Sequence, residues 1–512
     1  MLFAIIILQT CCVQAQEYLR GNNWFVSAAD APIRIQFTPY KVTQILNTVD
    51  SIPYPVFTFG GSCISDTMGK LLFACNGFCI YDTNGYGHIP KTIINNPLGD
   101  KFFNKYSDGF WDQMSIILPK KNNSYYVFTT GMSDSAYDDW KKPNPPYDFR
   151  FDVLSYHVVD MDANANAGKV LSKNNILMKN ARLSHNRMTA VRHANGRDWW
   201  LVKPHLTEQL FYTFLVKPNN IEGPFEYHSN FSMDSIQKEA GIYGIDGQMV
   251  FSPDGNWMAS TEAAYKGVFV YKFDRCSGIF NDYHFFALPK DTCYPNVCDY
   301  MSGVCFSSDS KFLYGNTYLN VWQIEISDTI STNSLYHIAQ IDTDYAYFPW
   351  YGNSYLAPNG KIYIGNVNGT QKGMSYIDNP DLKGIDCNYK PKGFRQQFTN
   401  LLYPPNMPNY GLGALVGSAC DTIRPPVILP VQTSIKIYPN PVGDNLSIEL
   451  PTGSKKVQVN IYNMLGEIVL SFSSEQIQND KVELSVKHLA RALYSVRISV
   501  DGKNFVNKFV KE

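Results

Sequence analysis

A chain of 512 residues, 45% of them hydrophobic, can bury a large core and has room for a many-sheeted domain plus a smaller one. Lys and Arg (44) nearly balance Asp and Glu (45), and a formal charge of -1 supplies no field for a phosphate backbone, so nucleic acid is excluded as an expected partner. Aromatics at 14%, including 34 Tyr and 31 Phe, favour β structure.

The first residues, MLFAIIILQTCCVQAQ, form a short apolar run ending in Val13-Gln14-Ala15. Small residues three and one before a cut predict signal cleavage between Ala15 and Gln16, giving a leader at 1–15. The run is too short for a permanent anchor, and no later segment approaches the length of a bilayer span, so export without a transmembrane anchor is expected. Cleavage removes Cys11 and Cys12 and leaves nine of the 11 cysteines. Cys276, Cys293, Cys298 and Cys305 cluster in sequence, and an oxidising compartment permits pairing there. The Cys75/Cys79 and Cys293/Cys298 spacings lack the histidine halves of zinc sites, so buried or disulfide-bonded cysteines are expected.

From residue 16 to 420 one phrase recurs. Phe251–Ser260 is FSPDGNWMAS, Phe306–Gly315 is FSSDSKFLYG and Leu356–Gly365 is LAPNGKIYIG, with looser copies at Ser65, Pro119 and His193. Each places Asp, Asn, Gly or Ser in a tight turn and follows it with a β-branched and aromatic strand. A second strand follows nearly every copy, as in VFVYKFDR and LNVWQIEIS, and NNWFVSA with IRIQFTP adds a further pair near the N-terminus. The repeat predicts an all-β body built as a β-propeller, with seven blades favoured and six or eight as alternatives. Separate β-sandwiches are the weaker alternative, because they need no recurring phrase. Asn409–Gly417 is read as a segment completing the first or last blade. Residues 421–433 carry three prolines and read as an extended linker. Beyond them, Leu446/Ile448/Leu450, Val457/Val459/Ile461 and Tyr494/Val496/Ile498/Val500 alternate with polar residues, predicting a small immunoglobulin-like β-sandwich at 434–512.

The tail carries an ordered set: Tyr438-Pro439-Asn440-Pro441, Asn445-Leu446, Ile461-Tyr462-Asn463-Met464-Leu465-Gly466, Leu489, Leu493-Tyr494-Ser495-Val496 and Lys508-Phe509-Val510-Lys511. This resembles the type A C-terminal sorting domain of the type IX secretion system. Arg491-Ala492, after a strand expected at Leu489, departs from the Gly-Xaa usual in the family. The resemblance implies passage into the periplasm and translocation across the outer membrane by the type IX machinery. It also implies removal of the tail by a sortase-like peptidase, with the mature part attached to the cell surface or released. The linker is the natural place for that cut, and Pro-Asn-Pro is read as turning the first strand pair. The body resembles, more loosely, propeller-bearing secreted proteins that carry such tails, on TAVRHANGRDWWLV, FSPDGNWMAS and FDRCSGIF.

Catalytic patterns are missing: there is no G-x-S-x-G, H-E-x-x-H, P-loop or complete dinucleotide fingerprint, and no cofactor is expected. Asp160–Gly168 alternates oxygen-bearing side chains like a calcium loop but holds Ala165 and Leu171 where an EF-hand needs Gly and Glu, so a polar loop is the stronger reading. His193, Arg197, Trp199 and Trp200 form a candidate ligand face, with Trp as a stacking plate for a glycan or protein ligand. The opposing reading is a hairpin turn with Trp in the core, and alternation puts the two tryptophans on opposite faces. Asp-Ser/Thr-apolar triplets at Asp66, Asp134, Asp234, Asp328 and Asp421 resemble a bacterial O-glycosylation triplet. The leading expectation is an exported, non-enzymatic binding module. The alternative is a secreted hydrolase or lyase of polysaccharide or peptide, with acids from different blades converging at the propeller mouth, and a third is a surface scaffold.

Overall fold

The computed structural model describes residues 17, 19–26, 33–38, 41–46, 61–82, 92–93, 101, 112–142, 150–206, 210–229, 247–262, 265–289, 299–326, 335–341, 350–367, 372–395, 403–421, 435–451, 453–463, 467–475, 477, 480–501 and 503–512. The expected leader, its cleavage site at Ala15 and Gln16, and nearly all of the linker lie outside them. The chain separates into two compact units, Met1–Ile423 and Arg424–Glu512.

The recurrent phrase folds as one turn, repeated. In FSPDGNWMAS the Ser252 N–H donates to Trp257 O (2.8 Å), the Trp257 N–H donates to Ser252 Oγ (3.0 Å), and Asp254 Oδ1 accepts from the Asn256 N–H (3.0 Å). FSSDSKFLYG repeats this through Ser307, Phe312, Asp309 and Lys311, at 2.7, 2.8 and 3.1 Å. In LAPNGKIYIG Asn359 takes the acid's place and accepts from the Lys361 N–H (3.3 Å). The residue after the Asx-held corner is left-handed: φ is 80° at Gly69, 74° at Gly196, 76° at Gly255 and 77° at Gly360, with Ser310 accepting 63°. Glycine recurs there because it enters that region without a Cβ clash.

These turns join the first and second strands of antiparallel meanders. Seven sheets occupy 23–46, 62–93, 115–178, 189–228, 249–287, 301–340 and 351–395, the first with three strands and the others with four among the described residues. Burial falls from first strand to last. Met301–Phe306 is buried throughout, whereas Leu335–Gln340, the last strand of the same sheet, has no buried residue. That gradient follows if the first strands line a common axis and the last face solvent. Asn23–Val26 packs beside Ser62–Ser65, which packs beside Ser115–Pro119. On the other side Thr189–Arg192, Met249–Phe251, Met301–Phe306 and Tyr351–Leu356 pack in succession. The last and first sheets meet where Tyr363 sits edge-on to Trp24 and Phe37, each at 5.7 Å. The body is the expected all-β propeller.

Asn409–Gly417 corrects the sequence reading: it forms no strand and completes no sheet. Residues 403–421 instead form an irregular strap across the first strands. Its glycines and prolines give no strand pattern, and its polar groups bond into several sheets at once.

The second unit is a sandwich. A three-stranded sheet (Lys436–Tyr438, Asn445–Glu449, Lys481–Ser485) faces a four-stranded one ordered Ile468–Ser474, Val457–Tyr462, Ala492–Val500, Lys503–Lys511. Val457, Val459, Ile461, Val496 and Ile498 are buried, as the period-two alternation predicted. Leu489 lies in a turn rather than on a strand, its N–H donating to Val486 O (3.0 Å).

Candidate functional site

Among the described residues, side-chain amides crowd the axis of the body. Gln113, just before the first strand of the third sheet, donates from Nε2 to Met249 O and Tyr355 Oη (both 2.8 Å) and accepts from the Met249 N–H (2.9 Å). Gln248 accepts from the Val304 N–H (3.0 Å) and Ser354 N–H (2.9 Å) while donating to Ser354 O (2.7 Å). Asn316 donates to Gly352 O (2.8 Å). Asn406 of the strap lies at the centre. Its Nδ2 donates to Ser115 O and Met188 O, both at 2.9 Å, its Oδ1 accepts from Gln113 (3.1 Å) and Tyr355 (3.0 Å), and its N–H donates to Gly61 O (2.6 Å). One buried amide thus joins groups from sheets far apart in sequence, and it plugs the axis.

Beyond Asn406 the strap stays tied down. Tyr410 donates to Ile117 O and Arg192 to Tyr410 O (both 2.8 Å), the Leu415 N–H donates to Ala194 O (2.8 Å), and Arg275 donates to Gly413 O. It ends in a disulfide between Cys420 and Cys276, Cα atoms 5.6 Å apart. The sequence left the pairing of Cys276 open, with its own cluster as one possibility. Its partner is 144 residues away, and Cys305 is a free buried thiol, as are Cys63, Cys75 and Cys387. Cys293 and Cys298 lie outside the described residues.

Between the strap and the turn ends of the first strands lies a cavity of about 540 Å³. Its walls include Trp24, Val250, Phe306, Tyr355 and Leu356, with strap residues 407–413 closing one side. Asp254 and Asp309 line it from their turns. Both carboxylates serve those turns: Asp254 also accepts from Ser252 Oγ and Asn256 Nδ2, and Asp309 from Ser307 Oγ and Lys311 Nζ. Burial pushes the Asp309 carboxyl up, but its hydrogen bonds from Lys311 and Ser307 outweigh this and hold it below the usual carboxylate range. A carboxylate held so is a poor general acid.

The His193–Trp200 stretch is a hairpin, as the opposing reading held. Trp199 and Trp200 are 1% and 5% exposed, so neither presents an open face to a sugar. Arg192 stacks over Trp199 (4.2 Å), and Trp200 donates to Arg275 O (3.0 Å). His193 accepts at Nδ1 from the Asn195 N–H (3.0 Å), which leaves Nε2 to donate to Cys276 O (3.0 Å). Arg197 is exposed and pairs with Asp198 (2.6 Å). A buried charged group lies nearby. Arg187, at φ 63°, is 3.7 Å from Glu262, and Lys203 donates to Asn186 O and Arg187 O. Burial, followed by the neighbouring Arg187 charge, holds the Lys203 ammonium well below its usual value. This group links the fourth and fifth sheets.

Asp160–Gly168 is a polar turn carrying the short helix Ala163–Asn166, and among the described residues no cluster of His, Cys, Asp and Glu is arranged to hold a metal ion. The triplet at Asp66 is one of the repeat turns and that at Asp134 opens the helix Asp134–Trp140; those at Asp234 and Asp328 lie outside the described residues.

Sequence reasoning missed Gln113, Gln248 and Asn406. A signal existed for two of them: Gln-Met recurs at Gln113-Met114 and Gln248-Met249, each time just before a first strand. Nothing local marks Asn406.

In the second unit Tyr438 donates to Glu449 (3.0 Å), and Tyr494 packs on Phe509 (5.5 Å) while donating to Ala490 O (2.9 Å). Pro439-Asn440-Pro441 connects the first strand pair, as predicted. It also clamps the last strand, since Asn440 accepts from the Val510 N–H (2.9 Å) and donates to Lys508 O (3.2 Å). Leu446 is buried, Asn445 and Tyr462 pair with Ser485 and Ser495, and Gly466 lies outside the described residues. Residues 436–512 match the family model of the secretion system C-terminal sorting domain. The tail is a type IX sorting domain. It marks the chain for type IX secretion and contact with that machinery, and so for the cell exterior. No helix among the described residues is long and apolar enough to cross a membrane.

No curated protein matches the chain. Among solved structures, a candidate 6-phosphogluconolactonase of Bacteroides fragilis is 12% identical, over 74% of this chain and 97% of its own, at TM-score 0.43. A candidate 6-phosphogluconolactonase of Bacteroides uniformis is 12% identical over 91% of this chain and 100% of its own, at TM-score 0.35. The β-propeller domain of Cps50 (Swd1) from Myceliophteria thermophila is 10% identical over 68% and 91%, at TM-score 0.34. Such distant likenesses carry no argument about activity, and the propeller assignment rests on the sheets themselves.

Proposed function

We propose that the body is a seven-bladed, non-enzymatic binding module. It is exported after cleavage between Ala15 and Gln16, carried outward by the sorting domain, and freed from it by a sortase-like peptidase cutting within 421–433. The product is attached to the outer membrane surface or released. The observation that supports binding over hydrolysis is the state of the cavity's acids. Asp254 and Asp309 are fastened into their own turns, with Asp309 held ionised, whereas a glycoside hydrolase needs one acid kept protonated. A glycan or protein ligand on this face fits the breadth of a propeller surface.

The test applies the purified full chain to arrays of glycans and surface proteins, reading retained ligand and released products together. Saturable retention without turnover supports the module, and product release replaces it with the hydrolase or lyase reading. Export is tested separately: a chain ended after Asp421 should stay in the periplasm, and its appearance outside the cell would remove the tail's assigned role.

A further inference from the structure

Most of the cavity's polar side chains are already committed. Tyr355 Oη bonds with Gln113 and Asn406, Tyr410 Oη donates to Ile117 O, and Ser310 Oγ accepts from the Asp254 N–H (3.2 Å). Asn409 donates to Pro253 O (2.9 Å) and accepts from the Gly411 N–H (3.1 Å). Asp254 and Asp309 hold their turns. A sugar would leave many hydroxyls without fitted partners in such a space, a cost of about 1–3 kcal/mol for each buried one. Apart from Thr189 and the Trp24 indole N–H, what remains for recognition is the apolar wall of Trp24, Val250, Phe306, Leu356, Met407 and Leu412. The volume falls within the range of about 300–1,000 Å³ usual for small-molecule sites. Charge narrows the class further, because among the described residues the lining holds two carboxylates and no Lys, Arg or His. An anion entering it meets two carboxylates, and the nearby cation Lys311 is already paired with Asp309.

We propose that this cavity binds a neutral, largely apolar small molecule and rejects anionic ones. This deepens the binding-module reading and rests on it. The occupant is read by shape and apolar contact, and the strap forms part of its seat through Met407 and Leu412. A glycan or protein ligand then occupies the surrounding propeller surface, outside this cavity.

The test uses the full chain and two fluorescent probes that differ by one sulfonate group: neutral N-phenyl-1-naphthylamine and its 8-sulfonate, 1-anilinonaphthalene-8-sulfonate. The neutral probe should bind saturably and about tenfold or more tighter than the sulfonate, equivalent to about 1.4 kcal/mol. Leu412→Trp, which fills the space from the strap side, should weaken the neutral probe about tenfold or more. Asp254→Asn with Asp309→Asn keeps the turn acceptors and removes the charge. It should tighten sulfonate binding about threefold or more and leave the neutral probe within about twofold. Near-ultraviolet circular dichroism checks that each variant is folded. Equal affinity for the two probes, or neutral-probe binding untouched by Leu412→Trp, overturns the proposal. Absent probe binding alongside retained array ligands removes the apolar-ligand class and leaves the module. Array turnover removes the module instead.

Discussion

Replacing Asn406 by alanine should destabilise the body more than any single surface change, and the size follows from its bonds. Asn406 is 3% exposed and its Nδ2 serves two backbone carbonyls, Ser115 O and Met188 O, from different sheets. Both carbonyls would lose this donor, at about 1–3 kcal/mol each. Gln113 and Tyr355 lose the Oδ1 acceptor but still bond to each other, so they add little. The expected loss is about 4 kcal/mol. Asn406→Asp keeps the shape but faces an oxygen to both carbonyls, and should cost at least as much. The assay is urea unfolding of the full chain followed by tryptophan fluorescence. All 8 tryptophans lie before residue 351, so the signal reports the body and is blind to the sorting domain. For a unit of this size the midpoint should fall by about 1 M. A shift below about 0.2 M in both variants would refute the idea that one axial amide ties the sheets together.

Reducing the Cys276–Cys420 disulfide, or replacing Cys420 with Ser, should lower body stability by about 2–4 kcal/mol, because the bond closes a loop of 144 residues. The Ser variant should then be insensitive to dithiothreitol in thermal melts. Gly255→Ala and Gly360→Ala enter the same left-handed region, at φ 76° and 77°, but a Cβ at 255 would lie 2.7 Å from Arg275 Cδ while 360 is open. Melting should show a loss of about 1 kcal/mol at 360 and about 2–4 kcal/mol at 255. His157 is buried, accepting from the Asn174 N–H (3.0 Å) and lying 2.9 Å from Thr129 Oγ1, and burial followed by the nearby Lys173 charge lowers its pKa to about 3. The unfolded chain, with its His near 6.5, takes up the proton first. This contribution is therefore complete above pH 6.5, falls as pH drops toward 3, and amounts to about 2–3 kcal/mol lost at pH 4.5. His157→Gln should flatten the dependence of unfolding midpoint on pH, and an unchanged slope would count against a buried neutral imidazole.

Local chemistry was legible in the sequence wherever the cause was itself local. The Asp-or-Asn corner followed by glycine specifies its turn through Asx bonds and a left-handed φ, so the repeat and its meanders could be read directly. The alternation of Val457, Val459 and Ile461 named its buried face for the same reason, and Tyr438 to Lys511 was recognisable as an address. By contrast, the strap looked like a missing strand, since nothing near Asn409–Gly417 reveals that its partners are Ile117, Pro253 and Ala194.

The sequence alone determined the meanders, the two-unit order and the sorting tail, because each is written in local patterns along the chain. Only the tertiary structure decided that Cys276 pairs with Cys420, that Trp199 and Trp200 are both buried, on opposite faces of their sheet, and that Asn406 occupies the axis. It also decided that the cavity's acids are held by their own turns. Closing a ring brings first strands together from points hundreds of residues apart, and no pattern along the chain encodes which side chains then meet.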